Sequence, residues 1–291
     1  MHLPPFTTRF APSPSGPLHV GHLLAALRAL RLAERHGGRC LLRVEDIDTR
    51  AQHPEMLALM YEDLAWLGLH FDGEVMVQST RFPVYASVLE KLRRMGVLYP
   101  CFCSRGEIKA QLADMGRAPH ATLGYQYPGT CRNLSADEAA ARIAAGAPHA
   151  WRLNMQRVQD LIGCPQWHDL RRGTQRCEPS AFGDVVLARK EFPASYHLCV
   201  VVDDAEQGVT HVTRGDDLFD ATHIHRAIQG VLGLPVPTYC HHELLRDNAG
   251  KRLAKRDGAR SLASLRAAGH TPDRVMESLQ TALRKGGIWN I

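Results

Sequence analysis

Four sets of residues have the types and spacing to do chemistry. The first is a loop, A-P-S-P-S-G-P-L-H-V-G-H at 11–22, that places His19 and His22 three residues apart. Gly16 and Gly21 allow backbone to approach a ligand closely. A helix is expected to begin near His22. Helix N-termini carry partial positive charge and unpaired N–H groups, which suit phosphate. Both imidazoles could donate hydrogen bonds to charge building on one phosphoryl oxygen. The second set is the basic run K-R-L-A-K-R at 251–256, after the turn-prone R-D-N-A-G. A basic loop can close over a triphosphate and neutralise a leaving pyrophosphate. The third is Arg9, Arg214 and Glu45: two cations for a carboxylate and one carboxylate for an ammonium. The fourth is C-F-C at 101–103 with Cys131. Structural zinc takes four ligands in a tetrahedron. Tyr127, His120 and Tyr125 are the candidates for the fourth. Each set also has an ordinary explanation: a proline-rich turn, a solvated basic loop, surface acids, or three reduced cysteines without metal.

These residues need elements to hold them. Thr7 to Phe10 reads as a strand, 22–36 as an amphipathic helix stopped at Gly37 and Gly38, and C-L-L-R-V-E at 40–45 as a buried strand. Strand, loop, helix, strand is a βαβ unit, which implies a parallel sheet. Such sheets bind ligands outside the carboxyl ends of their strands, which is where Glu45 falls. Further helices are expected over 54–69, 82–96, 135–145, opened by a Ser135 cap with Glu138, and 221–232. The apolar run Y-H-L-C-V-V-V at 196–202 reads as a strand, as does 210–215. Residues 99–133 lose helical periodicity and read as a loop-rich insertion. The expected fold class is α/β, a Rossmann-like parallel sheet with an inserted zinc-containing subdomain and a short helical C-terminal part. The corresponding divisions are 1–98, 99–195, 196–260 and 261–291.

Bulk properties set limits. The chain has 291 residues, 45% apolar and 22% charged, with a formal net charge of +5. No apolar run is long enough for a transmembrane helix, and the N-terminus lacks the pattern of a signal peptide. A monomeric cytoplasmic protein is expected. Eight cysteines in such a chain are not a disulfide framework. The mild basic excess permits contact with nucleic acid without demanding it.

R-F-A-P-S-P-S-G-P-L-H-V-G-H at 9–22 resembles the N-terminal signature of class I aminoacyl-tRNA synthetases of the glutamyl type, where the last four residues form the HIGH motif. The likeness continues through L-L-R-V-E-D-I-D (41–48), W-L-G-L (66–69), Q-S-T-R (78–81), Y-P-C-F-C-S (99–104), Y-H-L-C-V-V-V-D-D (196–204) and T-H-V-T-R-G-D-D-L (210–218), in order. It covers most of the chain to about residue 260. R-L-A-K-R-D-G-A at 252–259 resembles the family's KMSKS-type loop. Arg252 there replaces a lysine and Ala254 a small hydroxyl residue, which alters geometry and removes a hydrogen bond.

The resemblance implies an activity: ATP, as its Mg2+ complex, activates L-glutamate. It implies His19, His22 and Lys255 as catalytic groups, with Gly21, Arg252 and Leu253 also at ATP. Glu45 would hold the α-amino group and Arg9 and Arg214 the glutamate side chain, with Ser13 and Tyr196 completing the pocket. It further implies one structural Zn2+ on Cys101, Cys103, Tyr127 and Cys131. Only 35 residues follow Arg256, so no anticodon-binding domain is expected. That points to the family's truncated branch, which transfers glutamate to the queuosine base in the anticodon loop of tRNA(Asp). Three other readings remain: a truncated enzyme charging a tRNA 3′ end, an adenylating ligase with a small-molecule acceptor, and a zinc-containing RNA-binding module without catalysis.

Overall fold

The structure is a computed structural model that describes residues 5–48, 53–114, 127–189, 193–246 and 261–284. Strand β1 (Thr7–Phe10) is buried along its length and pairs in parallel with β2 (Arg39–Val44). Helix α1 (Val20–Arg35) connects them, which completes the expected βαβ unit. β3 (Asp72–Val77), reached through α2 (Pro54–Trp66), extends the sheet in parallel on the far side of β2. Next come the 3₁₀ turn Gln78–Arg81 and α3 (Phe82–Arg94).

A separate antiparallel sheet is built from β4 (Leu98–Cys101), β5 (Ala150–Leu153) and β8 (Val185–Ala188) in the order β4-β5-β8. Between its strands lie α4 (Arg105–Asp114), α5 (Ala136–Ala144), α6 (Met155–Ile162) and the hairpin β6 (Gln166–Asp169) and β7 (Gly173–Arg176). Within 99–133, where the lost periodicity predicts loops, the structure holds the end of β4, α4 and a 3₁₀ turn, Thr130–Asn133. Ser135 caps α5 as expected, with the Glu138 carboxylate returning the bond to the Ser135 N–H.

Helix α7 (Tyr196–Glu206) overturns an expectation. The sequence predicts a strand at 196–202, and the structure holds a helix. Residues Leu198 to Asp204 are all buried. A segment packed on every side has no apolar period, so a buried helix and a buried strand look alike in sequence. The valines favour a strand, but packing against α3 and α8 decides. Strand β9 (His211–Gly215), helix α8 (Phe219–Leu232) and strand β10 (Thr238–His242) follow. β9 and β10 pair in parallel, and β6 joins the other side of β10.

Two bonds put β9 beside β1. The Thr7 N–H donates to Thr210 Oγ1 at 2.9 Å, and the Thr210 N–H to Thr7 O at 2.9 Å. The carboxyl ends of β1, β2, β9 and β10 thus converge. At the far end, α9 (Leu262–Ala267) and α10 (Pro272–Arg284) pack on the same apolar cluster as α1 and α2. No helix among the described residues is long and apolar enough to cross a membrane.

Candidate active site

A cavity of about 470 Å3 opens where those strand ends converge. Arg9, Ser13, His19, Gly21, His22, Glu45, Tyr196 and Arg214 all line it. Residues separated by up to 205 positions are thereby brought together as the sequence predicts. Arg252, Leu253 and Lys255 lie outside the described residues, as do His120 and Tyr125. The described residues flanking the basic run lie close by: Leu245 lines the cavity, and Ser261 forms a β-bridge with His19.

The two histidines build the start of α1. His19 is the N-cap, and its Nδ1 accepts the Gly21 N–H at 3.0 Å. His22 Nδ1 accepts the His19 N–H at 3.1 Å. With both Nδ1 atoms accepting, a neutral ring at either position carries its proton on Nε2. The rings lie 3.9 Å apart between centroids. A Cβ at Gly21 would sit 2.8 Å from His19 Cε1, so glycine is what lets the ring fold back over its own helix.

Behind the cavity floor is a buried ion network that the sequence reading missed. Asp204 Oδ1 accepts from Arg9 Nε at 3.0 Å and from Arg43 Nη1 at 2.7 Å. Arg43, wholly buried, also reaches Glu45 Oε1 at 3.2 Å and Gln207 Oε1 at 3.0 Å. The two guanidiniums and two carboxylates balance. Burial raises the Asp204 pKa, but the two arginines outweigh it and hold the carboxyl below its ordinary range. At Glu45 burial wins over Arg43 and Arg9, and the pKa is raised. The sequence clue was Arg43 itself, a cation inside an apolar strand, where a buried charge needs a partner.

Neighbouring acids hold the loops. Asp203 accepts from Gln78 Nε2 (2.7 Å), Arg81 Nε (2.9 Å) and Tyr85 Oη (2.8 Å). Asp46 accepts from the Ser79 N–H (2.8 Å) and hydroxyl (2.7 Å). The Asp46 bonds tie the segment carrying Glu45, and the Asp203 bonds tie α7, to the 3₁₀ turn at 78–81.

Arg214 differs from Arg9. It is 5% exposed, and each of its nitrogens donates to a neutral group. Nε bonds His241 Nε2 at 3.1 Å, Nη1 bonds His225 Nδ1 at 3.1 Å, and Nη2 bonds the Thr222 hydroxyl. Burial, then the Arg214 charge, lowers the pKa of His225 well below its ordinary value and brings His241 down to about 4. Both rings are therefore neutral at physiological pH. No carboxylate pairs with Arg214 among the described residues. The site thus contains a buried, cavity-facing cation without an anion among the described residues. His225, His241 and Thr222 are further residues that sequence reasoning missed.

The cysteines form a second site, at the edge strand β4. The sulfurs of Cys101, Cys103 and Cys131 lie within 4.8 Å of one another, with Cys103 and Cys131 3.5 Å apart. A tetrahedral zinc with bonds of about 2.3 Å separates its sulfurs by about 3.8 Å, so the three thiols fit one metal ion. Tyr127 Oη lies 3.5 Å from Cys103 Sγ and accepts the Cys131 N–H at 2.8 Å. The cluster can hold a metal.

A family model described as tRNA synthetases class I (E and Q), catalytic domain, matches residues 5–285. The chain belongs to this class I tRNA synthetase family. This synthetase is 50% identical over 91% of its length to a glutamyl-Q tRNA(Asp) synthetase of Rhodobacter capsulatus, covering 96% of that protein. It is 44% identical to the glutamyl-Q tRNA(Asp) synthetase of Nocardia farcinica, over 94% of this chain and 84% of that one. Among solved structures it is similar to a glutamate tRNA ligase from Elizabethkingia meningosepticum, with a TM-score of 0.75 at 28% identity. That match covers 88% of the synthetase and 53% of the ligase, so this chain spans about half the length of that solved relative. The resemblance drawn from the HVGH segment and its successors is borne out, and the chain is a ligase of the aminoacyl-tRNA synthetase type.

Proposed function

We propose that this synthetase activates L-glutamate with MgATP and transfers the glutamyl group to the queuosine base in the anticodon loop of tRNA(Asp). The observation that carries the glutamate reading is Arg214, a buried cation facing the cavity whose partners among the described residues are all neutral. A ligand carboxylate supplies the missing anion. Arg9 is already matched by Asp204, so it adds to the pocket through its remaining nitrogen rather than through an unmet charge. Glu45, at the end of β2, takes the α-ammonium. Ser13 and Tyr196 close the pocket around the ligand. An amide gains less from a guanidinium than a carboxylate does, so glutamine is disfavoured.

The chemistry balances in two steps. An α-carboxylate oxygen of glutamate attacks the α-phosphorus of ATP, and pyrophosphate leaves. An acceptor hydroxyl then attacks the glutamyl carbonyl, and AMP leaves. His19 and His22 donate to the phosphoryl oxygens beside the first turn of α1, with Gly21 allowing close approach. Lys255, with Arg252 and Leu253, belongs to the loop that meets the triphosphate. The position of Leu245 and Ser261 supports this assignment. The acceptor rests on the names of the two glutamyl-Q relatives, one of which this chain matches over nearly its full length.

Charging with radiolabelled glutamate tests the acceptor. Label is expected on tRNA(Asp) that carries queuosine and absent from the same tRNA without it. Equal label on both, or label on tRNA(Glu) alone, would refute the queuosine acceptor. Absence of glutamate-dependent ATP–pyrophosphate exchange in metal-replete protein would remove the activation step as well.

For the second site the proposed metal is zinc, held by Cys101, Cys103 and Cys131 with Tyr127 as the fourth ligand, in a structural role. It would staple the 3₁₀ turn Thr130–Asn133 to the edge of the antiparallel sheet. The protein is expected to carry about one zinc per chain, and Cys131→Ser to lose it and melt at lower temperature. Elemental analysis decides: a wild-type protein without zinc, or full zinc content in the variant, rules the site out.

A further inference from the structure

Behind Arg214 lies a chain of hydrogen bonds whose directions can be deduced. A guanidinium nitrogen only donates, so His241 Nε2 must accept from Arg214 Nε. The neutral His241 ring therefore carries its proton on Nδ1, which donates to Asp169 Oδ2 at 2.7 Å. By the same logic His225 Nδ1 accepts from Arg214 Nη1, and His225 Nε2–H donates to His197 Nδ1 at 3.1 Å. Thr222 accepts from Nη2, and its own proton has His241 Nε2 at 3.1 Å and Leu218 O at 3.4 Å as acceptors. The His225 branch ends on another neutral imidazole. The His241 branch ends on a carboxylate, and Asp169 is wholly buried.

We propose that Asp169 is a positioning residue for glutamate selection. By accepting the Nδ1 proton of His241 it keeps the Nε2 lone pair against Arg214, so the guanidinium is aimed by neutral acceptors and its charge is left for the ligand carboxylate. A carboxylate at position 241 would orient Arg214 equally well but would cancel that charge. The inserted histidine separates orientation from neutralisation. This inference rests on the reading of Arg214 as the carboxylate partner of glutamate. Asp169 also has a plain structural task, since its Oδ1 accepts the N–H groups of Arg171 and Arg172 at 2.9 and 3.0 Å and its Oδ2 accepts the His241 backbone N–H at 3.1 Å. The test must separate the two.

Asp169→Asn keeps the size and an oxygen for the two turn bonds, but its amide nitrogen cannot accept the His241 backbone N–H. Its amide N–H₂, facing His241, favours the other tautomer and turns an Nε2–H toward Arg214 Nε–H. In ATP–pyrophosphate exchange the KM for glutamate is expected to rise about tenfold, the cost of a broken buried hydrogen bond. The kcat and the KM for ATP should stay within a factor of about two, because only ground-state glutamate binding is touched. In His241→Gln the side-chain oxygen accepts from Arg214 whatever stands at 169, so adding Asp169→Asn, which costs the backbone N–H bond of residue 241 in both backgrounds, should raise the glutamate KM by no more than about twofold. Nitrogen-15 NMR should show His241 protonated on Nδ1 in the wild type and on Nε2 in Asp169→Asn. An equal rise in KM in both backgrounds, an unchanged tautomer, or an unchanged KM in the single variant would each overturn the proposal. Arg214→Gln serves as the separate control. A wild-type glutamate KM there defeats the carboxylate reading itself, whereas a raised KM there with a normal KM in Asp169→Asn defeats only the role of Asp169.

Discussion

Arg214→Gln is expected to raise the KM for glutamate in ATP–pyrophosphate exchange on the order of a hundredfold, with the KM for ATP nearly unchanged. The reason is a charge count. Truncating one partner of a buried charge pair costs 2–5 kcal/mol or more, at about 1.4 kcal/mol per factor of ten. Arg214 is 5% exposed and has no carboxylate partner among the described residues, so the loss falls on ligand binding. Glutamine places an amide N–H near the Nε position, where it can still bond His241 Nε2, so the fold should survive. Arg214→Lys separates charge from shape: it keeps the cation but loses the fork that meets a carboxylate with two bonds, and an intermediate KM is expected. Discrimination against glutamine should fall with the charge. A glutamate KM in Arg214→Gln equal to that of the wild type would end the assignment.

Asp204→Leu carries the largest expected effect on stability, a loss of about 3–5 kcal/mol. Asp204 is the carboxylate that both Arg9 and Arg43 share, and Arg43 has no exposed surface. Without it two guanidiniums remain buried, with Glu45 at 3.2 Å from Arg43 and Asp203 further off as the carboxylates left to Arg43 among the described residues. Urea unfolding should show the loss as a lower midpoint at an unchanged slope. The pH dependence has a definite sign. Arg9 and Arg43 hold the Asp204 pKa below that of the unfolded chain. Its contribution is therefore full above about pH 4 and is lost as pH falls through the folded value. The gap between wild type and variant should close on acidification below that range. A variant within about 1 kcal/mol of the wild type at neutral pH would show that the network does not hold the cavity floor.

Much of the frame can be read without coordinates. The βαβ unit, the helix starting at the histidines and the Ser135 cap are local features, set by period, turn residues and capping over a few positions. Helix α7 could not be read this way. Its burial on all sides erases the period, and its valines point to the other structure. The place of Glu45 is legible through topology, since it ends a strand of a parallel sheet; Arg9, Tyr196 and Arg214 join it in the sequence through their motifs.

The HVGH segment, the glutamyl-type motifs and the cysteine spacing were determined by the sequence alone, because chemistry at a loop or a metal is written in residue types at short range. Which arginine keeps an unmet charge was decided only by the tertiary structure. Arg9 and Arg214 look alike in sequence. They differ because Asp204, 195 residues from Arg9 along the chain, pairs with Arg9, while Arg214 meets His225, His241 and Thr222. The sign of a buried site depends on which groups fold against each cation, and those partners come from helices and strands far apart in the chain.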